Sequence, residues 1–332
     1  TGGFYGLCAF VEQIDDDFLE RFGFNPEGEM YKAAWQGGGP ATLAPNPVPG
    51  QYRKATAKTE PWTNFREFCT GINSAARSPY VWDHVDVAQW INCLATMNVP
   101  FNHDQLTKNY YVYREPESGE WHRFPWDADQ SFPVGQYITG ENWTNPLYGD
   151  DNHTQELSGG RPNPAWRNRM HDAIMDDPVM REMYLRRVKT LADRGLAGPN
   201  GESSYLEEQV ELYRQALVTD ATADRNYWAG RGVSLSAMQA GVDEILTTAL
   251  PRRKVHLFET YAADGPVPLL PPSQPTEPTL SFGAIEYQPA SGNQDEEFIE
   301  IQNPENIAID LSNWTIEGGV RHTFQPGTVL AA

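Results

Sequence analysis

Between Asp86 and Met97, apolar residues recur at Val87, Trp90, Ile91, Leu94 and Ala95. That is the spacing of a helix with one buried face. After a break at Pro100, Tyr110-Tyr111-Val112-Tyr113 and a return through Trp121 to Phe124 flank Pro116-Glu117-Ser118-Gly119. Aromatic and β-branched residues suit strands, and Pro and Gly punctuate turns, so this stretch predicts a β-hairpin. Upstream, the apolar run over residues 4–12 reads as a strand, and Asp17 to Phe22 as a short helix stopped by Gly23. Gly37 to Gly50 lacks periodicity and reads as a surface insertion. Residues 133–168, rich in Gly, Pro and Asn, read as a long loop, a length that is often functional inside a domain.

Three helices follow. Asp177-Pro178 opens the first, which Gly195 ends. Ser204 with Glu207 is a capping box for the second. Ser234 caps the third, where Leu235, Met238, Val242, Ile245 and Ala249 hold helical spacing. Such stripes are expected in the core, because most helix stability comes from packing one face. Gly265 to Pro278 carries six prolines in fourteen residues and reads as a stiff, extended linker. Beyond it the period changes to strands at Phe282–Tyr287, Glu297–Gln302 and Trp314–Glu317.

The chain of 332 residues is long enough for one large domain and a small one. With 39% hydrophobic residues it can build a sizeable core, yet no apolar run approaches the length of a membrane span. The formal charge of −20 argues against a nucleic-acid partner, which needs clustered Lys and Arg. Cys8, Cys69 and Cys93 lack metal-ligand spacing and are expected as buried free thiols. Sequons stand at Asn142, Asn152 and Asn313, and matter only where the source glycosylates.

The chemistry gathers at the two ends of the predicted hairpin. Asp104 and Asn109 precede it, and Asp127 and Asp129 follow it. Folding the hairpin brings these oxygen donors to one end of two short strands, a hard-oxygen site suited to Mg²⁺ or Mn²⁺ and phosphate. Singly, each of these residues could as well cap a turn at a strand end. Tyr110, Tyr111 and Tyr113 read as packing, His103 as a structural hydrogen-bonding residue, and Trp126 as packing beside the site.

The order resembles a protein-kinase active site, where a base Asp and a metal-binding Asn precede a hairpin and a second metal-binding Asp follows it. Here Asn102-His103 replaces His-Arg, and D-A-D-Q-S-F replaces D-F-G. The flanks are more specific. Asn109-Tyr110-Tyr111-Val112-Tyr113-Arg114, then Trp121 and Pro125-Trp126-Asp127-Ala128-Asp129, resemble the spore coat protein H (CotH) kinase family. So do Phe4-Tyr5-Gly6-Leu7, Glu12-Gln13-Ile14-Asp15, Gly28 to Lys32, and Asp224-Arg225-Asn226-Tyr227-Trp228. The resemblance runs over residues 4–262. It implies an α+β fold: an atypical protein-kinase-like domain over 1–264, with a mainly helical C-lobe and most of the N-lobe missing. It implies ATP and Mg²⁺ or Mn²⁺ as cofactors and a protein Ser or Thr hydroxyl as acceptor. Asp104 would be the base, with Asn109 and Asp127 metal ligands and Asp129 a further ligand or support. The backbone of Val11, Glu12 and Gln13 would meet the adenine edge.

A kinase also needs a strand Lys to grip the phosphates. Lys32, Lys54 and Lys58 come after the presumed adenine segment, so that Lys is expected upstream of Thr1, together with a signal peptide. This puts the protein outside the cell or on its surface. Residues 279–332 resemble a lamin-tail domain, a partial immunoglobulin-like β-sandwich at the C-terminus, suited to contact envelope or carbohydrate. Two alternatives stay open. One is a D-x-D phosphohydrolase with Asp127 as nucleophile, Asp129 as acid and Asp176-Asp177 as metal ligands. The other is a non-catalytic surface-binding protein on a kinase-like scaffold.

Overall fold

The computed structural model describes residues 6–8, 11–34, 39–102, 104–132, 156–157, 161–162, 167–196, 204–228 and 234–332. His103, the glycine pair Gly37-Gly38, most of the 133–168 loop and the sequons at Asn142 and Asn152 lie outside them. The architecture is mixed, with helices packed against a small antiparallel sheet. The sheet runs in the order β2 (Tyr52–Lys54), β1 (Glu29–Ala33), β3 (Tyr110–Arg114), β4 (Trp121–Pro125). The predicted hairpin is β3–β4, in register Tyr111 to Phe124 and Tyr113 to His122.

Side chains alternate across a strand, so each face of the sheet has its own core. On one face Tyr31, Tyr110 and Val112 join the main core. There they meet α2 (Thr63–Gly71), α3 (Arg77–His84), α4 (Val87–Asn98), α5 (Arg169–Asp176) and α6 (Pro178–Leu196). The opposite face carries Met30, Tyr111, Tyr113 and Phe124 against Ile14 and Leu19. Leu19 comes from α1 (Asp16–Arg21), which Asp15 caps.

Helix α4 is the element the sequence made plainest. Asp86 caps it by accepting from the Gln89 N–H at 3.0 Å, and Trp90, Ile91, Leu94 and Ala95 are buried. Its far end is closed by Arg253, which donates to the carbonyls of Asn98 at 2.8 Å and Val99 at 3.1 Å. A permanent cation at a helix C-terminus satisfies carbonyls that lack partners.

Four expectations are corrected. Of the run over residues 4–12, residues 6–8, 11 and 12 form no strand, and the others lie outside the described residues. This segment is tied elsewhere: the Leu7 N–H donates to Asp224 at 2.8 Å. Asp224 lies in α7 (Tyr205–Tyr227), opened by the Ser204–Glu207 capping box. Without a strand to bury it Cys8 is exposed, whereas Cys69 and Cys93 are buried thiols. The stripes of α7 and α8 (Leu235–Glu244) are only half-buried, since these helices form an outer layer. Helix α8 runs on through a π turn at Ile245–Ala249 into α9 (Leu250–Val255). Pro251 lacks the N–H that a regular turn needs there.

The fourth correction concerns the Pro-rich stretch. Leu270 is buried in the main core, and the carbonyl of Pro272 accepts from Arg186 at 2.7 Å. Its middle, around Leu270 and Pro272, is therefore docked rather than extended in solvent, while Pro275, Thr276 and Glu277 are exposed. After a two-residue ladder of β5 (Glu156–Leu157) with β6 (Arg161–Pro162), and beyond the Pro-rich stretch, β7 (Ser281–Glu286) pairs with β8 (Phe298–Gln302), β9 (Ile309–Asp310) with β12 (Val329–Leu330), and β10 (Thr315–Ile316) with β11 (His322–Thr323). Ala308 and Val329 enter the main core. Asp310 meets Arg187 of α6 at 2.9 Å, with the two side chains 1% and 5% exposed. Gly327, at φ 95°, lies so close to α4 that a Cβ there would collide with the Ala88 carbonyl.

Candidate active site

Helix α4 delivers the chain to the loop that starts the site, and the hairpin returns it. The Phe132 N–H donates to the Pro100 carbonyl at 2.8 Å, and Asn102 Nδ2 to Ser131 Oγ at 3.2 Å, so the loops before and after the hairpin are joined. Arg123 of β4, almost fully buried, stacks its guanidinium over the Tyr110 ring at 4.7 Å and donates to the Gln105 carbonyl. This fixes the floor of the loop.

On that floor Asp104 is 6% exposed and accepts from Asn109 Nδ2 at 3.1 Å. Lys108 Nζ lies 2.7 Å from the same carboxylate oxygen. Asn109 sits at φ 58° and Asp127 at φ 54°, both left-handed. Asn and Asp are the residues that tolerate this conformation best. The Trp126 N–H donates to the Asn109 carbonyl at 3.1 Å, so these two bends close opposite corners of one hairpin end.

The charges of the acidic residues reach one another. Burial, then the charge and hydrogen bond of Asp129, then the charge of Asp104 push the Asp127 carboxyl above its ordinary range; Lys108 pulls the other way. A divalent cation would relieve that crowding. The donors are all oxygens, and with its amide nitrogen given to Asp104, Asn109 keeps its carbonyl oxygen for another partner. Among the described residues no three His, Cys, Asp or Glu side chains close tightly enough to cage a metal alone. An ion here would draw on Asn109 and on oxygens of its ligand.

Sequence reasoning missed one cation, Lys108, and set another, Lys32, aside. Lys108 stands four residues after Asp104, a spacing that could have flagged it. Lys32 of β1 lies with Nζ 4.4 Å from the Trp126 ring centre and 5.4 Å from that of Tyr111. Burial and the charge of Arg53 lower its pKa, while Asp127 raises it. Other residues stand apart. Val11 and Gln13 are exposed in irregular chain, and Glu12 pairs with Arg21. Asp176 pairs with Arg77. Asp177 caps α6 by accepting from Val179 and Met180 at 2.9 Å. Both are engaged at the junction of α5 and α6. Beside Asp129 an apolar groove of about 870 Å³ is lined by Val99, Pro100, Phe132, Leu191, Tyr205 and Leu206.

The family described as CotH kinase protein matches residues 2–256. Inner spore coat protein H of Bacillus subtilis (strain 168) is 26% identical over 138 residues, which cover 41% of this chain and 34% of that protein. The matched stretch thus spans about a third of that relative's length.

Proposed function

This chain belongs to the CotH kinase protein family, and on that premise we propose that it transfers the γ-phosphate of ATP to a protein Ser or Thr hydroxyl, with Mg²⁺ or Mn²⁺. The observation that carries the reading is the paired corner: Asn109 holds Asp104 at 3.1 Å, and Asp127, across the hairpin end, feels the charges of Asp129 and Asp104.

In this reading the acceptor oxygen attacks the γ-phosphorus, the bond to the β–γ bridging oxygen breaks, and ADP leaves. The hydroxyl proton passes to Asp104, which Asn109 and Lys108 hold in place. Asn109 Oδ1, Asp127 and Asp129 would hold the divalent ion, whose charge, when bound, offsets that of the phosphates. Little covalent chemistry is asked of the protein beyond positioning and charge. The groove beside Asp129 gives an acceptor segment an apolar surface to lie on. A surface location, and contact with envelope or carbohydrate through residues 279–332, belong to the same proposal. Phe282, Tyr287 and Phe298 are exposed there, and aromatic faces suit sugar rings.

Metal-dependent transfer of label from γ-labelled ATP to protein tests the reading. Asp127→Asn should weaken the metal–nucleotide complex by about ten-fold or more, the loss of a charged contact. A variant with wild-type metal dependence would remove Asp127 from the ligand set.

Acidity gives a second check. Protons compete with the metal for Asp127, whose carboxyl binds them more readily than an ordinary carboxylate. Metal affinity should therefore fall as pH drops through a range above the usual carboxylate one. Asp129→Asn removes a neighbouring charge, so it should move that loss to lower pH. Mn²⁺ titrations between neutral and mildly acidic pH read both effects.

A further inference from the structure

Strand register places two cations side by side on the face of the sheet that leads to this corner. Lys32 of β1 is directly opposite Arg53 of β2 on one flank and Tyr111 of β3 on the other. Directly opposed residues on neighbouring strands point to the same side. Like charges in such positions repel, and this chain has acidic residues in excess, 45 against 25 basic. Yet among the described residues neither Lys32 nor Arg53 has a carboxylate within ion-pair distance, although Lys54, next along β2, pairs with Glu29. The rings of Tyr111 and Trp126 flank the Lys32 ammonium and hold it beside Asp127, the next residue after Trp126.

We propose that Lys32 and Arg53 form a polyphosphate-binding cation pair facing the Asp127 corner, and that Lys32 is the residue that grips the nucleotide phosphates. The assignment rests on the phosphotransferase reading for its ligand, but not for its geometry. Two adjacent cations match an anion with successive negative groups, and a metal ion on the far side would share that anion. This replaces the expectation of a gripping Lys upstream of Thr1. Strand order, not chain order, decides which Lys reaches the site.

The test uses the full chain and Lys32→Met, Lys32→Arg and Arg53→Met, with Mg²⁺ throughout. Affinities for ATP, ADP, adenosine and inorganic tripolyphosphate are measured by calorimetry. Lys32→Met should weaken ATP and tripolyphosphate by about 10–100-fold, the size of a lost charge-assisted contact, and leave adenosine unchanged. Arg53→Met should act in the same direction, and Lys32→Arg should restore most of the loss. Arg53 is exposed and Lys32 half-buried, so circular dichroism should show all three folded.

If the wild type binds tripolyphosphate, loses it in Lys32→Met, and moves no phosphate from ATP, the cation pair stands and the phosphotransferase reading falls. If the wild type transfers phosphate and Lys32→Met does so with the same KM for ATP, the reading stands and the pair is overturned. Absence of tripolyphosphate and ATP binding in the wild type overturns it as well, as does an equal loss of adenosine and ATP.

Discussion

Asp104→Asn is expected to slow phosphate transfer by about 10²–10⁴-fold, the usual contribution of a positioned proton acceptor, and to leave ATP affinity within a few-fold of wild type. The substitution keeps the shape of the side chain and its place beside Asn109, so the corner still closes. It removes the carboxylate that takes the proton, and it leaves Lys108 facing a neutral amide in place of its ion-pair partner. A fall in kcat without a matching rise in KM is the signature of a group needed in the transition state and not for binding. Single-turnover transfer with saturating ATP would measure it. Equal rates in wild type and variant at equal ATP occupancy would end the assignment of Asp104 as base.

The largest stability effect is expected far from that corner. Asp310→Ala should destabilise the fold by about 3–5 kcal/mol, because it strands a buried guanidinium. Arg187 would keep its contacts to Asn92 Oδ1, at 3.0 and 2.8 Å, but lose its carboxylate. Asp310 also accepts from the Ser312 N–H at 2.9 Å, so its loss loosens the turn that carries β9 into β10. Replacing both partners, as Arg187→Met with Asp310→Leu, should recover most of the loss, since a matched apolar pair avoids the unpaired charge. Denaturant unfolding reads both variants. An unchanged midpoint for Asp310→Ala would mean that the pair contributes nothing. Removing residues 279–332 should cost at least as much, because Ala308 and Val329 leave the core at the same time.

What could be read from the sequence was local. Helix α4 and the β3–β4 hairpin follow from periodicity and turn residues, and the four oxygen-bearing residues are spaced around that hairpin. Family membership followed from the residues flanking it. What could not be read depends on pairing between distant segments. The run over residues 4–12 has strand composition, but composition cannot say whether a partner strand lies beside it. Lys32 looked misplaced because it follows the presumed adenine segment in the chain, an order that says nothing of the β1–β3 register that sets it opposite Tyr111. The Arg187–Asp310 pair has no sequence signal, since its partners lie 123 positions apart and meet only once the chain has folded back.

That contrast bears on the order in which the molecule assembles. The Asp104–Asn109 contact spans five residues, and the hairpin beside it closes through a short turn. Arg253 reaches the end of α4 across 155 residues. Loop-closure entropy grows with the length enclosed, so the acidic corner is among the least expensive parts of the fold to form, and the Arg253 clasp among the most. During synthesis the corner can take shape as soon as β4 emerges, while α4 waits for its cap until α9 has been made. A nascent chain at that stage would hold the chemistry of the site on an unfinished scaffold, fastened only when α9 and then the C-terminal strands arrive.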